Sequence, residues 1–150
     1  KVQGRWHLAE RKSIEEALDD TYSDVKDAVR FSEPDLIIGS SMGAALLFKL
    51  ISEKYYSGYS VFCAPAISEL LSPSLIEETI EDHTGQFLGS VWLLGELDTV
   101  VSKPFNISTA QRLGGSIIFS PGDNHRMNKS IESNILDAAI LTSIESSLRS

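Results

Sequence analysis

Short apolar runs alternate with longer amphipathic segments along this chain, and this alternation constrains its fold more than any other feature. The runs predict strands at Asp35–Ser40, Ser60–Ala64, Ser90–Gly95 and Ser116–Ser120, with a weaker opening strand at Val2–Leu8. The four stronger runs are rich in β-branched or aromatic residues and polar only at their ends, which is typical of strands covered on both faces. The pattern predicts a three-layer α/β/α fold around a mostly parallel sheet.

Five amphipathic segments are predicted to be helices. They cover Ser13–Arg30, Met42–Lys54, Ser74–Asp82, Ser108–Leu113 and Lys129–Leu148. Ser13 and Glu16 have the spacing of a capping box at the start of the first helix. All five prolines fall at boundaries between elements, where a missing N–H costs least. With 150 residues, of which 42% are hydrophobic, the chain is predicted to form a single domain, residues 1–150, with a filled core.

Composition narrows the classes of partner. The net charge of -8 argues against a nucleic-acid or anionic-membrane surface, because both need clustered basic residues. No apolar run reaches the ~18 residues of a membrane span. A lone cysteine and three widely separated histidines offer neither a disulfide nor a zinc-finger spacing. We therefore expect a cytoplasmic protein that binds no nucleic acid, no membrane, no metal and no cofactor.

The segment Gly39-Ser40-Ser41-Met42-Gly43 fits the pattern G-x-S-x-G. The spacing alone is weak, since it arises by chance in roughly one such chain in ten. Its context is stronger, because the motif ends a predicted strand and opens a predicted helix, as a nucleophile elbow requires. Glycines on both sides would remove side chains that clash at so tight a turn. The competing interpretation is an ordinary glycine-rich turn.

An acid and a histidine follow two later strands. Asp98 comes just after the strand Ser90–Gly95, and His125 comes just after the strand Ser116–Ser120. Because the carboxyl ends of parallel strands share one edge of a sheet, both side chains are expected near Ser41, in the chain order Ser, Asp, His. His125 would take the Ser41 proton as general base and return it to the leaving group, while Asp98 orients the imidazole.

These three motifs together resemble the α/β-hydrolase family. They read PDLIIGSSMGAAL at the serine, LLGELDTVVS at the acid and FSPGDNHRM at the histidine. From about Ser13 onward the chain resembles the carboxyl-terminal two-thirds of such proteins, which implies a truncated or minimal version of their fold. The resemblance also implies hydrolysis of carboxylic esters, thioesters or amides through an acyl-serine intermediate.

The oxyanion hole of this family has two N–H donors, and the sequence identifies only one of them. The backbone N–H of Met42, the residue after the nucleophile, fits the first donor. The second donor comes in this family from a loop after an earlier strand, and no such loop precedes the elbow here. Three alternatives stay open: the chain is a fragment that lacks its upstream strands, a second copy or an upstream segment completes the sheet edge, or the site is catalytically weak.

Rivals exist for each role. They are Glu96 and Asp123 for the acid, His7 and His83 for the base, and Ser40 for the nucleophile. Only Ser41 has a glycine two residues before it and another two residues after it. Only Asp98 stands at the fourth position of the turn that begins at Gly95, where the resemblance places the acid. Cys63 lies within an apolar strand, where a buried inert thiol is expected. Met127 could line an acyl pocket, although packing is the favoured role.

The leading hypothesis is a serine hydrolase acting on a small-molecule ester or thioester. Between the strands ending at Ala64 and beginning at Ser90 the sequence predicts about one helix, which excludes a large lid and favours short acyl groups or a substrate on a larger carrier. The alternative is a binding module that keeps the fold without efficient catalysis. Peptidase or transferase activity would use the same residues and is not separated from hydrolysis by the sequence.

Overall fold

A computed structural model describes residues 14–82 and 84–148 of the chain. Contacts divide the chain after Pro34 into two compact units, Lys1–Pro34 and Asp35–Ser150, which we describe separately. In the first unit the described part is helix α1, Ile14–Ser32, close to its predicted bounds. The predicted strand Val2–Leu8 and the capping residue Ser13 lie outside the described residues. The single-domain interpretation stays a prediction.

The second unit alternates strands and helices. Its strands are β1 (Leu36–Ser40), β2 (Tyr59–Cys63), β3 (Ser90–Gly95) and β4 (Ser116–Ser120). Its helices are α2 (Met42–Ser52), α3 (Ile67–Leu70), α4 (Pro73–Asp82), α5 (Lys103–Leu113), α6 (Asn128–Glu132) and α7 (Ile135–Leu148), and a 3-10 turn spans Thr84–Phe87. All four strands predicted for this part of the chain are present.

The four strands form one parallel sheet in the order β1-β2-β3-β4. Strands β2 and β3 are buried almost throughout, as predicted for strands covered on both faces. The same prediction is wrong for β1 and β4, where Ile38 and Phe119 are exposed over 43% and 48% of their surface. The reason is their position, since each is an edge of the described sheet. Among the described strands, the elbow follows an edge strand, β1.

Helices cover both faces of the sheet, which makes the three layers predicted from the sequence. On one face Phe62 and Trp92 stack with ring centroids 4.6 Å apart, and Phe87 lies between Phe62 and Phe48 of α2. On the other face the strand residues that alternate with these aromatics pack against α7. That cluster contains Val61, Cys63, Val91, Leu93, Met127 and Ala139. Successive side chains along the buried strands point to opposite faces and thus pack into two separate cores.

The structure corrects two of the predicted helices. Helix α5 begins at Lys103, five residues earlier than predicted, because Ser102 Oγ accepts the Phe105 N–H at 3.3 Å as an N-cap. The predicted helix Lys129–Leu148 is two helices, since Asn134 takes a left-handed φ of 61° between α6 and α7.

The connection from β2 to β3 holds more than the single predicted helix. It contains α3, α4 and the 3-10 turn. Leu71 and Ile76 in this connection are buried, at 8% and 4% exposure. In the described part of the chain, no helix combines the length and the apolarity that a membrane crossing requires.

Candidate active site

Ser41 occupies the turn between β1 and α2 in a strained backbone conformation. Its φ of 53° and ψ of -111° are rare for a residue with a side chain, and such conformations cost on the order of 1–3 kcal/mol. Three backbone hydrogen bonds hold it there. Ser41 N donates to Cys63 O at 2.9 Å, and the N–H groups of Ala45 and Ala66 donate to Ser41 O at 3.2 and 3.1 Å. The end of β2 and the loop that follows it therefore help to fix the elbow.

The two glycines of the motif have different surroundings. A Cβ at Gly39 would lie 2.7 Å from both Ala44 Cα and Gly43 O, so only glycine allows the strand and the helix to approach so closely. A Cβ at Gly43 would meet no atom within 4 Å among the described residues. The predicted crowding is therefore found at Gly39, and the described residues do not produce it at Gly43.

A continuous chain of hydrogen bonds links the serine, the histidine and the acid. Ser41 Oγ lies 2.8 Å from His125 Nε2, and His125 Nδ1 lies 2.8 Å from Asp98 Oδ2. The His125 side chain is 21% exposed, whereas that of Asp98 is 1% exposed. His125 thus meets Ser41 and Asp98 at the carboxyl edge of the sheet, although they lie 84 and 27 positions before it in the sequence. The geometry suits proton transfer from the hydroxyl to an imidazole whose other nitrogen is held by a carboxylate.

Asp98 is held by the turn that follows β3. Its Oδ1 accepts the backbone N–H groups of Val100 and Val101 at 2.8 and 3.3 Å, which leaves Oδ2 for His125. Asp98 N donates to Gly95 O at 3.3 Å and closes the turn. A buried carboxylate is tolerated when its oxygens are hydrogen-bonded, and here both are. The turn therefore presents one carboxylate oxygen in a fixed direction.

Gly95 allows the acid loop and the histidine loop to touch. A Cβ at this position would lie 2.8 Å from the carbonyl oxygens of Asn124 and Asp123. Two hydrogen bonds join the loops: Leu97 N donates to Asp123 O at 2.8 Å, and Gly122 N donates to a Glu96 carboxylate oxygen at 2.6 Å. Gly95, which begins the turn that ends at Asp98, must therefore be a glycine because the loop that carries His125 approaches it so closely.

The rival acids have other partners. Asp123 is buried and accepts four hydrogen bonds, from Ser120 Oγ and from the N–H groups of Asn124, Lys129 and Ser130, at 2.9–3.3 Å. Its carboxylate ties the histidine loop to the start of α6. Glu96 is exposed and bridges to the same loop through Gly122 N. His7 and His83 lie outside the described residues.

Two sulfur-bearing side chains near the site are packed in the core. Cys63 is 5% exposed, and burial raises the pKa of its thiol to about 12, as expected for an inert cysteine. Met127 is 4% exposed and belongs to the cluster under α7. The packing role favoured for Met127 is confirmed.

Met42 begins α2, where backbone N–H groups have no acceptor within the helix and carry the positive end of its dipole. Ser41 is the N-cap residue and makes no side-chain cap, because its Oγ is engaged with His125. The first turn of α2 contains no acidic residue. The Met42 N–H is thus suited to an anionic oxygen next to Ser41. Its role in an oxyanion hole, and the identity of a second donor, stay predictions.

A surface cleft of about 230 Å³ opens beside the histidine. It is lined by Leu97, Thr99, Val100, Asn124, His125 and Arg126. Leu97 and Val100 are 59% and 63% exposed, so the cleft offers an apolar wall next to polar groups. Arg126 is not among the site residues that the sequence predicts, although its position directly after His125 places it at the site.

Comparison with known proteins finds similarity in structure alone. No protein-family model matches the sequence, and no curated protein matches it. The structure is similar to a predicted CIB-like hydrolase from Thermoplasma acidophilum, with a TM-score of 0.58 and 15% identity over 91% of this chain and 62% of that one. It is also similar to the esterase domain of a Rhodothermus marinus protein, with a TM-score of 0.52 and 15% identity over 85% of this chain and 67% of that domain.

The chain thus spans about two thirds of the length of these neighbours. Together with the strand order and the sharp turn after β1, the likeness to these structures shows that the chain has an α/β-hydrolase-like fold.

Proposed function

We propose that this protein is a serine hydrolase that cleaves a carboxylic ester or thioester of a small acyl group. The observation that carries the proposal is the unbroken chain of two 2.8 Å hydrogen bonds from Ser41 through His125 to Asp98. The strained backbone of Ser41 supports it, because such strain persists where a function selects it.

The reaction proceeds in two stages. Ser41 Oγ attacks the carbonyl carbon while His125 Nε2 takes the hydroxyl proton, and the tetrahedral intermediate collapses as the imidazolium gives that proton to the departing alcohol or thiol. Water then attacks the acyl-serine, His125 takes one of its protons, and the proton returns to Ser41 Oγ as the carboxylic acid leaves. The Asp98 carboxylate stabilises the imidazolium in both stages, and the Met42 N–H faces the carbonyl oxygen as it gains negative charge.

The size of the cleft supports a small substrate. Its volume of about 230 Å³ is below the roughly 300–1,000 Å³ of pockets that enclose drug-sized ligands. A large substrate would leave much of its apolar surface in water, which removes the binding energy that the reaction needs. Small esters and thioesters are therefore the substrates to test first.

A fluorophosphonate probe tests the nucleophile. We expect one label on the intact protein, located on Ser41 by peptide mass spectrometry, and no label in the Ser41→Ala or His125→Ala variants. Ser40→Ala is the matched control, because Ser40 is the adjacent exposed serine and the structure gives it no part in the hydrogen-bond chain. Labelling that survives Ser41→Ala, or that disappears in Ser40→Ala, would contradict the assignment.

Turnover separates an enzyme from a binding module. The unmodified chain should hydrolyse p-nitrophenyl acetate or a short acyl thioester, and Ser41→Ala should reduce kcat/KM at least 10³-fold, as loss of a triad member does. A chain that takes up the fluorophosphonate but turns over neither substrate would favour the binding module.

A further inference from the structure

Arg126 differs from the other arginines in the part of the chain that the structure describes. Arg30 pairs with Asp27 at 3.2 Å, and Arg112 forms a two-pronged pair with Glu77 at 3.1 and 3.2 Å. Among the described residues, no carboxylate lies within ion-pair distance of Arg126. A guanidinium offers five N–H donors in a planar fork, so an unpaired one beside a candidate active site is available to a ligand.

The backbone holds Arg126 close to His125. Its N–H donates to Asn124 Oδ1 at 3.0 Å, and its neighbours in the sequence are His125, which is fixed by two hydrogen bonds, and the buried Met127. Arg126 and His125 line the same cleft, and none of the six residues that line it is acidic. The cleft therefore combines a cation, two neutral polar residues and an apolar wall.

The position of the cleft indicates which part of a substrate it holds. In the proposed reaction His125 delivers a proton to the departing oxygen or sulfur, so the leaving group must lie next to the imidazole. Because His125 itself lines the cleft, the leaving group is the part of the substrate that reaches Arg126. This step rests on the proposed function.

We propose that Arg126 is a specificity-determining residue that binds an anionic group, a carboxylate or a phosphate, on the leaving group of the ester or thioester. The guanidinium fork matches both anions in geometry. The net charge of -8 repels anions from the protein as a whole, so an anionic substrate needs a local cation at the point of binding. Arg126 supplies that cation within the cleft.

A pair of esters with the same ring tests the proposal. The acetyl ester of 3-hydroxybenzoate has an anionic leaving group, and the acetyl ester of methyl 3-hydroxybenzoate has a neutral one. We expect Arg126→Gln to lower kcat/KM about tenfold for the anionic ester, the loss of one hydrogen-bonded charge pair near the surface, and to change it less than about twofold for the neutral ester. Arg112→Gln is the matched control and should change neither value.

Further substrates and a binding measurement locate the anion. The acetyl ester of 3-hydroxyphenyl phosphate should show the same loss if phosphate is accepted. An effect of Arg126→Gln confined to a hemisuccinate ester of 3-hydroxybenzamide, whose carboxylate lies on the acyl side, would overturn the assignment to the leaving group. Equal losses on anionic and neutral acetyl esters would also overturn it.

Calorimetry with 3-hydroxybenzoate makes the test independent of turnover. In Ser41→Ala protein, adding Arg126→Gln should raise the Kd about tenfold, and an unchanged Kd would overturn the proposal. Because this readout needs no reaction, failure of the hydrolase proposal would appear as absent turnover with the difference in Kd intact.

Discussion

Replacing Gly39 with alanine tests the claim that close backbone approach forms the elbow. The added methyl carbon would lie 2.7 Å from Ala44 Cα and Gly43 O and 2.8 Å from Ala44 N. Carbon atoms ordinarily pack about 3.5–4.0 Å apart, so the overlap with a Cα atom is roughly 1 Å. All three contacted atoms belong to the backbone at the start of α2 and cannot turn away as a flexible side chain would.

The expected cost lies at the upper end of the range for overpacking. Overfilled sites typically lose about 1–3 kcal/mol, and we expect about 3 kcal/mol here because the Ser41 backbone, already strained and held by three hydrogen bonds, must shift with α2. For a chain of this size that loss lowers Tm by roughly 6–12 °C. Gly43→Ala is the matched control, since a Cβ there meets no atom within 4 Å among the described residues and alanine is favoured within a helix.

Urea unfolding followed by circular dichroism gives the free energy of unfolding of both variants, for comparison with that of the unmodified chain. The rate of fluorophosphonate labelling reports the position of Ser41, and we expect Gly39→Ala to slow it at least tenfold, because displacements of about 1 Å can cost 10²-fold in rate. A loss below about 1 kcal/mol in Gly39→Ala, or an equal loss in Gly43→Ala, would refute the reasoning.

Three further predictions address the acid and the core. Asp98→Asn should lower kcat about 10³–10⁴-fold in a p-nitrophenyl ester assay, while Glu96→Gln should stay within about threefold; similar losses in both would contradict the assignment of the acid. Asp123→Asn should lower the free energy of unfolding by about 2–4 kcal/mol in urea titrations, because an amide NH₂ would face N–H and O–H donors at a buried site. An unchanged free energy would contradict the role of the Asp123 carboxylate in tying the histidine loop to α6. Cys63 in the native protein should react with a thiol reagent at pH 8 far more slowly than Cys63 in the unfolded chain. Burial raises its pKa to about 12, so only about one thiol in 10⁴ is ionised at this pH. Equal rates would argue against its burial.

The sequence by itself determined the strands of the second unit and the chain positions of Ser41, Asp98 and His125. These features have local causes. A β-branched apolar run favours a strand whatever lies beside it, and the residues after consecutive parallel strands are expected along one edge of the sheet. The motifs were therefore readable without knowledge of a single long-range contact.

Where local signals were weak or misleading, contacts with neighbouring residues determined where the helices begin and end. The pattern Lys129–Leu148 fits one helix, but the left-handed φ of Asn134 divides it. The Asp123 carboxylate accepts the N–H groups at the start of the first of the two helices, α6. The early start of α5 depends on the capping bond of Ser102, and serine is among the residues that commonly cap a helix at this position.

Only the tertiary structure decided which side chains meet. Asp98, Glu96 and Asp123 are all carboxylates near the ends of strands. The position in the turn favours Asp98, but only the folded chain shows that its oxygen lies 2.8 Å from His125. Their roles follow from contacts between the acid loop and the histidine loop, which Gly95 allows by lacking a side chain. The unpaired state of Arg126 likewise depends on where the carboxylates of distant elements lie. Hydrogen-bond geometry is decided within tenths of an ångström across the packed sheet, and a periodic sequence pattern carries no information at that scale.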